Sequence, residues 1–94
     1  MQENIYRLTI ECRCPKNPEI VDSYQAEIKA DHMITVEDLQ EQIDTFTAEA
    51  AYQEDLTEWI SKQFDADVTL TGIHSGVQVS SHHWPGRIGI PAQK

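Results

Sequence analysis

The reactive side chains of this chain are few: two cysteines, Cys12 and Cys14, and four histidines, three of them in its last third. One residue separates the cysteines, so in an extended strand their side chains point the same way and a mutual disulfide is geometrically poor. Both are expected as thiols, and the ordinary role of each is that of a small apolar residue in a strand. Cys14 differs in its neighbours. Arg13 beside it and Lys16 two residues on favour a thiolate, the form a nucleophilic cysteine needs, although a cysteine at a strand end next to a proline turn can equally be inert. Cys12, Cys14, His74, His82 and His83 are all zinc-competent. The C-x-C spacing is not the usual C-x-x-C knuckle, and the adjacent His82 and His83 would point to opposite faces of a strand, so no metal site is predicted.

The elements that must carry these residues follow from hydrophobic periodicity. Tyr6, Leu8, Ile10, Cys12 and Cys14 alternate with Arg7, Thr9, Glu11 and Arg13, as a strand with one buried face does. Pro15-Lys16-Asn17-Pro18 should break it, because proline cannot donate to a ladder. Tyr24, Ala26, Ile28 and Ala30 then alternate with Gln25, Glu27 and Lys29 in a second strand, antiparallel to the first. Thr35 can cap a helix whose first turn carries Glu37 and Asp38. Val36, Leu39, Ile43 and Phe46, then Tyr52, Leu56, Trp59, Ile60 and Phe64, recur at helical spacing. A single helix over 36–64 would be about 44 Å long, too long for strands of this length, so two helices are expected with a break near Thr45–Ala51. Val68, Leu70 and Gly72, and then Val77, Val79 and Ser81, mark two further strands joined at His74-Ser75-Gly76. The expectation is one α+β domain over residues 1–82, with four antiparallel strands and two helices on one face, and an irregular tail over 83–94.

The ββααββ order resembles the tunnelling fold shared by GTP cyclohydrolases, pyruvoyl-tetrahydropterin synthases and 7-cyano-7-deazaguanine reductase. Three segments resemble the reductase in particular. Cys14-Pro15 followed by a short turn and Asp22 looks like its nucleophile segment, in which an Asp opens the next strand. Tyr52-Gln53-Glu54-Asp55-Leu56 looks like its aromatic-His-Glu-Asp segment, and Val68–Gly72 with Gly76–Val79 looks like its final hairpin. Together these cover about residues 8–82.

The resemblance implies that Cys14 is a nucleophile, that Asp22 is its proton donor or base, and that Glu54 anchors a purine, pterin or deazapurine ring. The chemistry suits the residue types, since such a ring presents an amino group and a ring N–H side by side and a carboxylate can accept both. Taken without the resemblance, Glu54 is one acid among many on a solvated helix and Asp22 is an ordinary turn residue. The chain departs from the reductase at the Glu-x-Lys-Ser-type stretch that contributes to nicotinamide binding. Glu27-Ile28-Lys29-Ala30 looks similar but falls inside the second strand, so the cofactor is left unassigned.

Composition bounds the partners. Seven Lys and Arg stand against sixteen Asp and Glu in 94 residues, a formal net charge of -9, which would repel nucleic acid and anionic membranes alike. No apolar run approaches the roughly 20 residues of a membrane span, and Met1-Gln2-Glu3-Asn4 lacks the layout of a signal peptide, so a cytoplasmic protein is expected. A four-stranded sheet covered on one face leaves two open edges and a polar second face made by residues such as Arg7, Thr9, Glu11, Gln25, Glu27 and Thr69. The tunnelling-fold resemblance implies closure of those edges in a cyclic homo-oligomer of four to six subunits around a water-filled tunnel, with ligand sites at the junctions. Trp84, Arg87, Ile88 and Ile90 of the acid-free tail could then lie on a neighbour's acidic helices. The competing expectation is a non-catalytic binding or assembly protein whose acidic helix layer engages a basic partner.

Overall fold

The computed structural model describes residues 2–85. Expectations that rest on residues 86–94, including the packing of Arg87, Ile88 and Ile90 on a neighbour, lie outside the described residues.

The elements are β1 (Asn4–Cys14), β2 (Asn17–Ala30), α1 (Val36–Thr47), α2 (Gln53–Phe64), β3 (Asp67–His74) and β4 (Val77–His83). The strands form one antiparallel sheet in the order β1-β2-β3-β4. Directly opposed residues share a face, and the alternation read from the sequence puts Ile10, Cys12, Tyr24, Ala26, Ile28, Ala30, Val68 and Leu70 into one core with Leu39, Ile43, Leu56, Ile60 and Phe64 of the helices. Both helices therefore cover the same face, α1 against β1 and α2 against β3 and β4. Leu56 and Ile60 lose all contact with water, which stabilises the fold by about 1.5–3 kcal/mol for each such side chain. The second face is polar, and its opposed pairs interact: Arg7 with Glu27 at 3.0 Å, Thr9 with Gln25 at 3.3 Å and Thr71 with Ser80 at 2.9 Å.

Three details depart from the sequence expectations. The first turn is only Pro15-Lys16, because β2 already begins at Asn17, opposite Cys14. Arg13 is opposite Val21, so Pro18, Glu19 and Ile20 have no place in the ladder. A bulge is where a residue without an N–H is tolerated inside a strand. Second, Val36 and Tyr52 belong to the helical stripe by spacing but are 55% and 45% exposed. Val36 is the first residue of α1 and Tyr52 the N-cap of α2, ahead of the turn that carries each helix onto the sheet. Third, β4 continues through His82 and His83, which lie opposite Thr69 and Val68.

The helix break falls at residues 48–52. Tertiary contacts hold it there without Gly or Pro: the Ala51 N–H donates to the Arg13 carbonyl at 3.1 Å, and the buried Cys12 thiol lies 3.8 and 3.9 Å from the carbonyls of Glu49 and Ala51. Thr35 caps α1 by accepting from the Asp38 N–H at 3.2 Å, and Phe46 and Trp59 stack across the two helices at 4.4 Å. Asp65 ends α2 with φ 51°, and Ser61 Oγ donates to the Ala66 carbonyl at 2.7 Å. The β3–β4 turn is Ser75-Gly76, with φ 52° and 82°; two consecutive positive values are what a tight hairpin of this hand requires. Among the described residues, no helix is long and apolar enough to cross a membrane.

Candidate functional site

Cys14 ends β1 on the same face as Cys12, because alternate residues of a strand point the same way. Asp22 is directly opposite Cys12, which puts Asp22 on that face too, diagonal to Cys14. Asp22 thus lies well inside β2 instead of opening it, and it is half-buried. Two residues on, the Tyr24 hydroxyl donates to Asp22 Oδ2 at 3.4 Å. Burial first, and then the Asp22 charge, push the Tyr24 hydroxyl far above its ordinary pKa, so it stays a donor.

The β2–β3 ladder ends at Gln25 and Thr71. At the next position, Gly72, the Tyr24 ring lies against the backbone, where a Cβ would come within 2.6 Å of Tyr24 Cδ1. Two residues further, His74 continues the inward face of Val68, Leu70 and Gly72, and its ring centroid is 6.0 Å from that of Tyr24.

The third wall is the start of α2. Its N-cap, Tyr52, makes no side-chain capping bond, and Glu54 and Asp55 occupy the first turn, where negative charge suits the helix dipole. Glu54 is exposed while Gln53 is buried. Gln53 Nε2 donates to the carbonyls of Leu70 at 2.9 Å and Val79 at 3.0 Å, and Gln53 Oε1 lies 2.9 Å from His74 Nε2.

These walls enclose an open cavity of about 330 Å³ whose lining includes Cys14, Asp22, Tyr24, Gln53, Glu54 and His74. The three residues singled out from the sequence, Cys14, Asp22 and Glu54, thus come from two hairpin positions and a helix start into one place. A larger groove of about 630 Å³ runs between β1 and α1, but it is lined by Leu8, Thr9, Glu11, Gln40 and Asp44 among others and holds no thiol or imidazole. The other cysteine is set apart: Cys12 is buried, and burial chiefly pushes its thiol pKa up, away from the thiolate. Among the described residues, no three His, Cys, Asp or Glu side chains come together to hold a metal ion.

Sequence reasoning gave no role to Tyr24 or Gln53 at this site and considered His74 only as a turn residue and a metal candidate. The signal was periodicity. Gln53 is three residues before Leu56 and seven before Ile60, on the buried stripe, and His74 is two after Gly72.

Neither a family model nor a curated protein matches the sequence. The ββααββ order, the single antiparallel sheet and the helices on one face are the arrangement of the tunnelling fold. Among solved structures, the chain is similar to the apo form of an archaeosine synthase described as QueF-Like, with a TM-score of 0.80 at 17% identity over 92% of this chain and 95% of that one.

Proposed function

We propose that this tunnelling-fold protein binds a purine, pterin or deazapurine ring in the cavity between the β1–β2 turn, the start of α2 and the end of β3. What supports this reading is the convergence of Cys14, Asp22 and Glu54 on one cavity. A deazapurine is the favoured ring, because the similar solved structure is an archaeosine synthase and the sequence segments resemble a deazaguanine reductase.

Glu54 would accept a ring N–H and its neighbouring amino group as a charge-assisted pair. Cys14 would then add to an electrophilic carbon carried by the ring, such as a nitrile: Asp22 takes the thiol proton as the S–C bond forms, one C–N π bond breaks, and Asp22 returns that proton to the nitrogen. The Tyr24 hydroxyl would hold Asp22 in place. Glu27 and Lys29, which resemble part of the reductase's nicotinamide stretch, are mid-strand in β2 and 3.8 Å apart in an ion pair with each other.

The edge strands β1 and β4 are each paired on one side among the described residues, which supports a cyclic homo-oligomer that closes the sheet and places the cavity near a subunit junction. Calorimetric titration of the full chain with guanine, neopterin and 7-cyano-7-deazaguanine tests the function. Binding of one of these rings is expected. Binding of none, with capture of a basic protein on the acidic helices, would favour the assembly role instead.

A further inference from the structure

Gln53 is a carboxamide with no freedom to turn. It is 5% exposed, and its nitrogen donates to carbonyls of two different strands, Leu70 of β3 and Val79 of β4. Carbonyl oxygens only accept, so the NH₂ end is assigned to that side by the hydrogen bonds themselves and Oε1 faces His74. An amide oxygen also only accepts. At 2.9 Å from Oε1, His74 Nε2 must carry the hydrogen, and in the neutral ring Nδ1 is then a bare acceptor. His74 Nδ1 has no partner among the described residues, and it is not one of the buried unpaired atoms. The ring forms part of the wall of the cavity that holds Cys14 and Glu54.

We infer that His74 is a recognition residue of this cavity, accepting through Nδ1 a hydrogen bond from an N–H or amino group of the bound ring, with Gln53 as the positioning residue that fixes its tautomer. The inference rests on the ring-binding reading above and narrows it. Glu54 and the Nδ1 of a His74 ring that donates through Nε2 are both acceptors, so the cavity selects rings rich in donors: a guanine-like or pterin-like donor pair for Glu54 and one further N–H for His74. Rings that lack the amino group beside a ring N–H leave acceptors unpaired.

Nuclear magnetic resonance of the full chain labelled with ¹⁵N-histidine tests this, with His74 assigned by its loss in His74→Phe, a substitution that keeps a ring against Tyr24. The free protein should show His74 as the Nε2–H tautomer. Addition of 7-cyano-7-deazaguanine should move the Nδ1 resonance from that of a bare to that of a hydrogen-bonded nitrogen. His74→Phe should weaken calorimetric affinity about tenfold, the equivalent of one lost hydrogen bond. An Nδ1–H tautomer in the free protein overturns the inference. So does Glu54-dependent binding that leaves Nδ1 unmoved, an outcome that spares the ring-binding reading. Failure of guanine, neopterin and 7-cyano-7-deazaguanine to bind the unaltered chain overturns both.

Discussion

The ring of Tyr24 and the backbone of Gly72 occupy adjoining space that admits no side chain at position 72: a Cβ there would come within 2.6 and 2.8 Å of two ring carbons. Tyr24 is 1% exposed and its hydroxyl is tied to Asp22, so the ring has nowhere to retreat. Gly72→Ala should destabilise the fold by about 1–3 kcal/mol, the usual effect of overpacking, and should disturb Asp22 with it. Urea unfolding checks the first effect; an unchanged midpoint would show that Tyr24 moves freely.

The two cysteines should separate in reactivity. Cys12 is buried with its thiol against the Glu49 and Ala51 carbonyls, whereas Cys14 is half-buried in the cavity wall. Iodoacetamide at neutral pH should label Cys14 first, as read by mass spectrometry of peptides. If both label only on unfolding, Cys14 is a core residue and the nucleophile role is lost.

How far these features were legible in the sequence depends on what fixes each. Alternation alone located the buried faces of β1, β2 and β3, because a strand must put every second residue into the core. Helix length required a break, yet its position is set by the bond from Ala51 to Arg13, a contact between residues far apart in sequence. The bulge at Pro18–Ile20 was hidden for the same reason, since proline and asparagine read locally as a turn and only pairing with β1 reveals the strand. At the cavity, Cys14, Asp22 and Glu54 were singled out through resemblance, and all three line it. Gln53 and His74 were within reach of periodicity, but their mutual bond depends on the packing of α2 over β3 and β4.

Stability should also carry a specific pH signature from His32. Its Nδ1 is 3.0 Å from Asp31 Oδ1 and its Nε2 is 2.9 Å from the Phe64 carbonyl. Both partners only accept, so the arrangement is that of an imidazolium beside the last turn of α2. Its pKa is raised, first by the hydrogen bond to Asp31. A raised folded-state pKa means that the contribution is complete below the unfolded value of about 6.5 and is lost as pH rises through the folded value. The difference in unfolding free energy between the unaltered chain and His32→Asn should therefore shrink from acid towards mildly alkaline pH. Growth of that difference with pH would contradict the clamp.

Association should follow from the open edges of β1 and β4. Light scattering coupled to size exclusion should give four to six copies for the full chain, and a second run on a chain truncated after Pro85 separates the contribution of the sheet edges from that of the remaining residues. A monomer of about the chain mass, 10.7 kDa, at micromolar concentration would remove the cyclic homo-oligomer and any site that depends on it.

Ring capture by Glu54 is the central claim, and comparative calorimetry of the unaltered chain and Glu54→Gln with 7-cyano-7-deazaguanine addresses it most directly. Replacing the carboxylate by an amide puts a donor against ligand donors and should weaken binding by about 2–4 kcal/mol. Equal affinity in the two proteins, or no binding by either, would contradict the claim.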